Sequence, residues 1–351
     1  MKIALTVLHG NITDSNSKYI GNKEALSIAK IFAKYYDIDI LTCDYCDNCI
    51  HVDENFDINK YDKLLVVNGS LNMFGGLEIK TATTIYKLLH KFNNQIYYIL
   101  TDTNMPFVDY YNHIKGKEFA NQYNENSFKL KNDLIIFSQF SNFEYIRKLH
   151  KNISIKDIIF VPWALWKLEL PLDDFTASQI LLRTTDLIYG GSFRSGKRLQ
   201  KMLDYFFNKD ITVELFGNLE KANFKDAPVQ KYPIFSGKVP ANMVISKNSE
   251  ALATIVIGDA NYNNNTVTLR VYESLLSDAI VFIDNDFDTE HKILNDDFLY
   301  VNSGKELEEK ILLLKRDAVL RNKYLQNQKQ LVEDLQAKQI LSNQIKDLIK
   351  E

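Results

Sequence analysis

Residues 186–198 read DLIYGGSFRSGKR, and this stretch decides how the rest of the chain is interpreted. It predicts a short apolar strand that enters a Gly-Gly-Ser turn, followed by a helix that begins near Arg194. Gly190 and Gly191 let the backbone approach a ligand closely, and the first N–H groups of a helix face an anion. Arg194 and Arg198 are spaced i, i+4, so both are expected on one helical face, within reach of that anion. The pattern predicts a phosphate site; the alternative is an ordinary helix start with surface arginines.

Composition limits the class of protein. A chain of 351 residues is too long for one ordinary core, which predicts two domains. Hydrophobic residues make up 46% and charged residues 25%, values typical of a soluble globular protein. No apolar run approaches the roughly 20 residues that span a bilayer, so no membrane partner is expected. The net charge of −3 does not exclude a nucleic-acid partner, because phosphate contacts need only a local basic surface.

Strand and helix patterns alternate along the chain. The predicted strands are Lys2–Leu8, Ile38–Thr42, Lys63–Asn68, Ile96–Leu100, Asp133–Ser138, Ile158–Val161, Leu187–Tyr189, Thr212–Phe216, Ala253–Gly258 and, last, Ala279–Asp284. This rhythm predicts an α/β protein with two doubly wound, Rossmann-like domains that face a central cleft. The expected domains are residues 1–168 and residues 169–320, and the second of these contains the predicted phosphate site. Residues 321–351 are expected to form a helix that packs back on the first domain.

Functional residues are expected directly after the strands in the sequence, because ligands of open α/β sheets bind outside the carboxyl ends of the strands. Asp259 follows one strand and is placed to accept hydrogen bonds from sugar hydroxyls. Arg270 and Glu273 are expected on one face of the next helix. There the arginine can neutralise a diphosphate, and the carboxylate can accept hydrogen bonds from two ribose hydroxyls. The alternative is an intrahelical ion pair.

Two loops in the first half offer further candidates. Asp102 follows a strand and is a candidate general base, although an aspartate before a turn is also a common Asx-turn or N-cap residue. Asn72, Met73 and Phe74 lie in a loop bracketed by glycines. That loop is either a hydrophobic plug on the sheet or a finger that enters an acceptor.

The three cysteines, Cys43, Cys46 and Cys49, stand close to His51 with CxxCxxC spacing. These four side chains could in principle bind a metal ion. However, the ligands of a structural zinc site usually come as two pairs well apart in the sequence, whereas here all four lie in one loop. Reduced thiols are therefore the favoured interpretation, and no metal site is predicted.

Seven blocks of sequence, in this order, resemble the DNA β-glucosyltransferase family of T-even bacteriophages. They include Val66-Val67-Asn68 with Phe74-Gly75-Gly76, Thr101-Asp102, Ile188 to Gly196, Phe216-Gly217-Asn218, Gly237 to Pro240, Ile257-Gly258-Asp259 with Asn261-Tyr262-Asn263, and Thr268 to Val271. The resemblance implies a GT-B fold and an inverting transfer of a sugar, glucose first, from a UDP-sugar to 5-hydroxymethylcytosine in double-stranded DNA. A phage would use this modification to shield its DNA from host nucleases, in the cytoplasm of the host.

The resemblance also implies residue roles. Asp102 matches the catalytic base, Glu24 an acidic residue near the sugar, Asp259 a contact to a sugar hydroxyl and Glu273 the ribose ligand. The diphosphate site is matched by Gly191, Ser192, Arg194, Arg198 and Arg270, the uracil pocket by Gly217 and Val239, and the loop that fills the space of the extruded base by Asn72 and Phe74.

The expected protein is a monomer, with Mg²⁺ as an auxiliary only. This chain has Ala164 where the family carries an acidic residue, which leaves another UDP-sugar or a non-DNA acceptor as the alternative. A nucleotide-binding protein without catalysis is a third hypothesis.

Overall fold

Runs of buried aliphatic residues form two parallel sheets. The computed structural model describes residues 1–6, 27–42, 50–51, 56–67, 91–92, 96–101, 134–149, 154–170, 183, 185–227 and 229–349. The chain divides into two units, one made of Met1–Trp166 with Ile340–Glu351 and the other of Lys167–Gln339. The predicted α/β class, with parallel sheets, is confirmed.

The first unit contains a seven-stranded sheet with strand order β3-β2-β1-β4-β5-β6-β7. Its strands are β1 (Lys2–Thr6), β2 (Asp37–Thr42), β3 (Ile50–His51), β4 (Lys63–Val67), β5 (Ile96–Leu100), β6 (Leu134–Ser138) and β7 (Ile155–Phe160). Every residue of β4 and β5 is buried, as expected for central parallel strands covered on both faces.

The second unit contains a six-stranded sheet with strand order β10-β9-β8-β11-β12-β13. Its strands are β8 (Thr185–Ser192), β9 (Val213–Asn218), β10 (Ile234–Phe235), β11 (Ala251–Val256), β12 (Ile280–Asp284) and β13 (Tyr300–Val301). Counted within the unit, this is the doubly wound order 3-2-1-4-5-6. The order reverses between β8 and β11, so a ligand crevice is expected at the carboxyl ends of these two strands.

Helices connect the strands. They are α1 (Phe143–Leu149), α2 (Trp166–Glu169), α3 (Lys197–Phe206), α4 (Val244–Asn248), α5 (Leu269–Leu275), α6 (Gly304–Arg316), α7 (Ala318–Lys338) and α8 (Ile340–Ile345), and residues 27–32 are also helical. Within the described ranges, no helix combines the length and apolar character that crossing a membrane requires.

The end of the chain belongs to the first unit. Leu341 and Ile345 are fully buried, Tyr36 Oη donates to the carbonyl of Ile345 at 2.9 Å, and Lys63 Nζ donates to that of Ile349 at 3.1 Å. Burial of these apolar side chains anchors the segment after α7.

Three local predictions were wrong. The strand at Ala279–Asp284 is not the last, because the two-residue strand β13 pairs beside it. The single helix expected over residues 321–351 is divided between α7 and α8, because Gln339 adopts a left-handed φ of 44° and ends α7. The Gly-Gly-Ser segment is part of β8 rather than a turn.

Candidate functional site

The candidate site lies in the second unit, at the carboxyl ends of β8 and β11. Strand β8 ends in Gly190-Gly191-Ser192, and β11 is followed by Ile257-Gly258-Asp259. These two strands flank the point where the sheet order reverses. The candidate residues of the second unit named from the sequence therefore group around the predicted crevice.

Two glycines of β8 serve the packing of aromatic rings. Gly190 and Gly191 pair with Phe216 and Gly217 of β9, which extends the ladder through Ser192. A Cβ at Gly190 would lie 2.3 Å from the Phe216 ring, and one at Gly191 would lie 2.7 Å from the Tyr189 ring. The glycines were expected to make a turn for a ligand; the absence of side chains instead keeps the strand regular between two rings.

The helix after this strand starts later than predicted. Residues 193–196 have no helical structure, and α3 begins at Lys197 after Gly196, whose φ of 72° suits glycine. Arg194 is therefore exposed in the connection and does not share a helical face with Arg198. The predicted i, i+4 geometry was wrong, while a role for each arginine stays a prediction.

Arg198 is held by three acceptors. Nη1 donates to the carbonyl of Ile257 at 3.1 Å and lies 3.3 Å from Asp259 Oδ1, and Nη2 donates to Tyr189 Oη. The side chain is only 12% exposed. Burial alone would lower the pKa of Arg198, but the interactions with Tyr189 and Asp259 outweigh it and raise the pKa. Arg198 thus presents a fixed positive charge at the carboxyl edge of the sheet.

Tyr189 brings a second arginine to the same place. The guanidinium carbon of Arg270 lies 5.2 Å from the centroid of the Tyr189 ring, within the range of a cation–π contact. The tyrosine is fully buried and packs on Phe206, with ring centroids 4.8 Å apart. Sequence reasoning missed Tyr189 because an apolar strand explains a tyrosine without any ligand; its place directly before the two glycines was the available signal.

Asp259 carries the acidic charge beside these arginines. Its side chain is 31% exposed and pairs with Arg198, while its backbone carbonyl accepts hydrogen bonds from the amides of Tyr262 and Asn263. The half-buried Glu273 lies in α5 three residues after Arg270. The Asp259 carboxylate and the guanidinium groups of Arg198 and Arg270 therefore lie at the carboxyl edge of the sheet. This combination suits an anionic ligand that also carries hydroxyl groups.

The loop that follows Asp259 is tied to the segment after β12. The amide of Asn264 donates to the carbonyl of Phe287 at 2.9 Å, and Asn264 Oδ1 accepts from both the amide and the hydroxyl of Thr289. Asn264 has a φ of 54°, a conformation that asparagine tolerates better than most residues. These bonds fix the loop that leads into α5 and hence into Arg270.

Two buried polar atoms in this region lack a partner among the described residues: Arg198 Nε, a donor, and Asn263 Oδ1, an acceptor. Buried polar groups are normally hydrogen-bonded, so such orphans call for an explanation. A ligand that offers both acceptors and donors at this edge would satisfy both atoms.

The segments that carry Gly217 and Val239 adjoin at the end of β9. Gly217 has a φ of 104° and donates its amide to the carbonyl of Gly237 at 2.7 Å. Val239, two residues further on, packs against the cluster of Ile188, Phe216 and Ala251. The two residues named for a base pocket are thus carried by adjoining segments of the second unit.

The predicted residues of the first unit cannot be placed. Glu24, Asn72, Met73, Phe74, Asp102 and the three cysteines lie outside the described residues. Among the residues that are described, no group of three or more His, Cys, Asp or Glu side chains is arranged to hold a metal ion.

Comparison with known proteins gives consistent matches. A family model described as bacteriophage T4 beta-glucosyltransferase matches residues 1–165. The DNA beta-glucosyltransferase of Enterobacteria phage T4 is 36% identical over 342 residues, which cover 96% of this chain and 96% of that protein.

Solved structures agree with this result. A mutant of T4 phage BGT in complex with UDP-glucose matches with a TM-score of 0.86 and 34% identity, covering 100% of this chain and 99% of that one. T4 phage BGT in complex with UDP and Mn²⁺ matches with a TM-score of 0.85, 35% identity and the same coverage. WaaG, a glycosyltransferase of lipopolysaccharide biosynthesis, matches with a TM-score of 0.55 and 11% identity over 99% of each chain, a likeness of fold only. The predicted GT-B class is confirmed.

Proposed function

Because the chain belongs to the bacteriophage T4 beta-glucosyltransferase family, we propose that it transfers glucose from UDP-glucose to 5-hydroxymethylcytosine in double-stranded DNA. The observation that carries this proposal is 36% identity over 96% of both chains, with an arginine-lined site where a doubly wound sheet binds its ligand. The chain is thus an enzyme, a UDP-sugar-dependent glycosyltransferase.

The donor half of the reaction belongs to the second unit. Arg198 and Arg270 meet at Tyr189, and Arg194 lies in the connection that leads to α3. We assign these three arginines, with Gly190, Gly191 and Ser192, to the diphosphate. Negative charge grows on the diphosphate as it leaves, and guanidinium groups fixed in advance stabilise that charge without reorganisation. The orphan donor Arg198 Nε fits this role, because a phosphate oxygen would accept its hydrogen bond.

The remaining donor contacts follow the same pattern. Glu273 is assigned to the ribose hydroxyls, Gly217 and Val239 to the uracil, and Asp259 with Glu24 to the sugar. Asp259 already pairs with Arg198, so the carboxylate also fixes the guanidinium.

The acceptor half is assigned to the first unit. Asp102 takes the proton from the hydroxymethyl oxygen as that oxygen attacks the anomeric carbon opposite the UDP, which inverts the configuration. A base inside a duplex must be extruded, at a cost of a few kcal/mol. Asn72, Met73 and Phe74 are assigned to the loop that fills the vacated space, which offsets part of this cost.

We further propose that the enzyme acts as a monomer in the host cytoplasm and that a divalent cation is only auxiliary. The described residues offer no cluster of protein ligands. Mg²⁺ commonly takes oxygen ligands from substrate phosphates, so the diphosphate itself would be its main ligand.

The test is incubation of the purified protein with UDP-glucose and duplex DNA that contains hydroxymethylcytosine, followed by mass analysis of the nucleosides. The expected result is 5-hydroxymethyl-2′-deoxycytidine that has gained one hexose, with no change in a matched duplex that contains unmodified cytosine. A panel of other UDP-sugars and of non-DNA alcohols tests the alternatives, another donor or another acceptor. Absence of transfer from every UDP-sugar to hydroxymethylated DNA would refute the proposal.

A further inference from the structure

We propose that Tyr189 is a positioning residue that aligns both Arg198 and Arg270 for the diphosphate of the donor. The inference rests on the proposed function, which places a diphosphate at these arginines. Tyr189 is not expected to touch the substrate; it acts through the two guanidinium groups.

The position of the Tyr189 ring is fixed on several sides. The residue is 0% exposed and lies within β8, where it pairs with Leu215 of the neighbouring strand. The ring packs on Phe206 of α3. On the other side, a Cβ at Gly191 would come within 2.8 Å of Tyr189 Oη, so the glycine leaves the room that the hydroxyl occupies. A ring fixed in this way holds its hydroxyl at one point.

The hydroxyl of Tyr189 fixes the first arginine. It accepts a hydrogen bond from Arg198 Nη2, while Nη1 is directed to the carbonyl of Ile257 and to Asp259. With both terminal nitrogens engaged, the plane of the guanidinium is set. The remaining nitrogen, Nε, is buried without a partner among the described residues.

The face of the same ring orients the second arginine. Arg270 lies over the Tyr189 ring at 5.2 Å, and guanidinium groups stack on aromatic faces in a preferred orientation. One side chain thus contacts both guanidinium groups, although their like charges repel each other. A diphosphate carries two adjacent anionic groups, and two prealigned guanidinium groups match that arrangement.

The experiment compares the affinities of the unmodified protein and of five variants for UDP and for uridine by calorimetric titration. Tyr189→Phe keeps the ring and removes only the hydroxyl. The matched control is Tyr205→Phe, because Tyr205 is an equally buried tyrosine whose hydroxyl donates to the carbonyl of Val301 at 3.2 Å. Arg198→Ala removes the guanidinium itself.

The expected result for Tyr189→Phe is an affinity for UDP lower by about 3- to 10-fold, the effect of one ordinary hydrogen bond, with uridine affinity unchanged. Tyr205→Phe should lower the melting temperature to a similar extent and leave UDP affinity within twofold, roughly the spread of ordinary surface changes. In the double variant Tyr189→Phe/Arg198→Ala, the loss should equal that of Arg198→Ala alone, since the hydroxyl acts through that arginine.

A further variant probes the contact between Arg270 and the face of the Tyr189 ring. Arg270→Lys keeps the charge but loses the planar group that stacks on Tyr189, so it should also weaken UDP binding by about 3- to 10-fold without affecting uridine. Unchanged UDP affinity in Arg270→Lys would refute the role of the ring face. This variant leaves the core intact and therefore tests the proposal even if Tyr189→Phe proves unstable.

The failures of the two proposals are distinguishable. If Arg198→Ala binds UDP as tightly as the unmodified protein, the diphosphate site itself is misassigned. If Arg198→Ala weakens UDP binding but Tyr189→Phe does not, only the positioning role is refuted. Equal losses for UDP and uridine in Tyr189→Phe would also refute it, because they would indicate general damage to the pocket.

Discussion

Replacement of Gly217 by alanine tests the geometry of the nucleotide side of the site. Gly217 has a φ of 104°, and a new Cβ would lie 2.3 Å from the carbonyl oxygen of Gly191, roughly 1 Å short of ordinary contact. A left-handed backbone costs a residue with a Cβ about 1–2 kcal/mol, and overpacking costs about 1–3 kcal/mol more. Gly217→Ala should therefore lower the free energy of unfolding of the second unit by about 2–5 kcal/mol.

The matched control is Gly237→Ala. Gly237 also has a positive φ, 72°, but no atom lies within 4 Å of the position of its Cβ. Only the backbone penalty of about 1–2 kcal/mol is expected there. The assay is urea denaturation, with amide hydrogen exchange of β8 and β9 to localise the effect. Equal losses of stability in the two variants would refute the argument that the strand ends are closely packed at Gly191.

Two further predictions concern stability. Burial alone would raise the pKa of Glu214, but hydrogen bonds from Lys247 and other donors outweigh it and lower the pKa below the ordinary 4.5. The contribution of this carboxylate to stability is fully present above pH 4.5 and is lost as the pH falls through the lowered pKa. The difference in free energy of unfolding between the unmodified protein and Glu214→Gln should therefore shrink from pH 7 to pH 3. A constant difference over this range would contradict the prediction. Leu341→Ala should lower the free energy of unfolding by about 2–5 kcal/mol, because the Leu341 side chain is fully buried. Ile340→Ala is the control and should lower it much less, because Ile340 is 38% exposed. The two variants are compared by thermal denaturation, and equal losses of stability would show that α8 does not anchor the end of the chain.

The central strands could be predicted from the sequence. Ile96–Leu100 was predicted with the bounds that the structure shows, and the strand at Lys63–Asn68 differs by its last residue, which is not described. Continuous buried runs of aliphatic and aromatic residues identify central parallel strands because both of their faces are covered. Two such series of strands, in a chain too long for one core, were enough to predict two sheets.

The short edge strands could not be predicted. Strand β13 has two residues, Tyr300 and Val301, and exists because it pairs with β12. A segment of two residues is too short to show an alternating pattern, so only the tertiary structure reveals such a strand.

The local geometry of the candidate site also required the structure. Gly190-Gly191 carries the signal of a turn, yet the rings of Phe216 and Tyr189 occupy the space that side chains would need, and the strand continues. Helix α3 begins only at Lys197, after Gly196 with its φ of 72°, so Arg194 and Arg198 are not on one helical face. Contacts between residues distant in sequence decide both features. The roles of Asp102 and of the loop at Phe74 stay predictions.

The most direct test of the central claim is a comparison of Asp102→Ala with the unmodified protein for both catalysis and binding. Loss of a general base should reduce glucose transfer from UDP-glucose to hydroxymethylated duplex DNA by at least about 100-fold. The affinity for UDP should stay unchanged, because the diphosphate contacts are assigned to arginines of the second unit. Transfer at an undiminished rate would contradict the assignment of the base, and loss of UDP affinity would contradict the division of the site between the donor and acceptor halves.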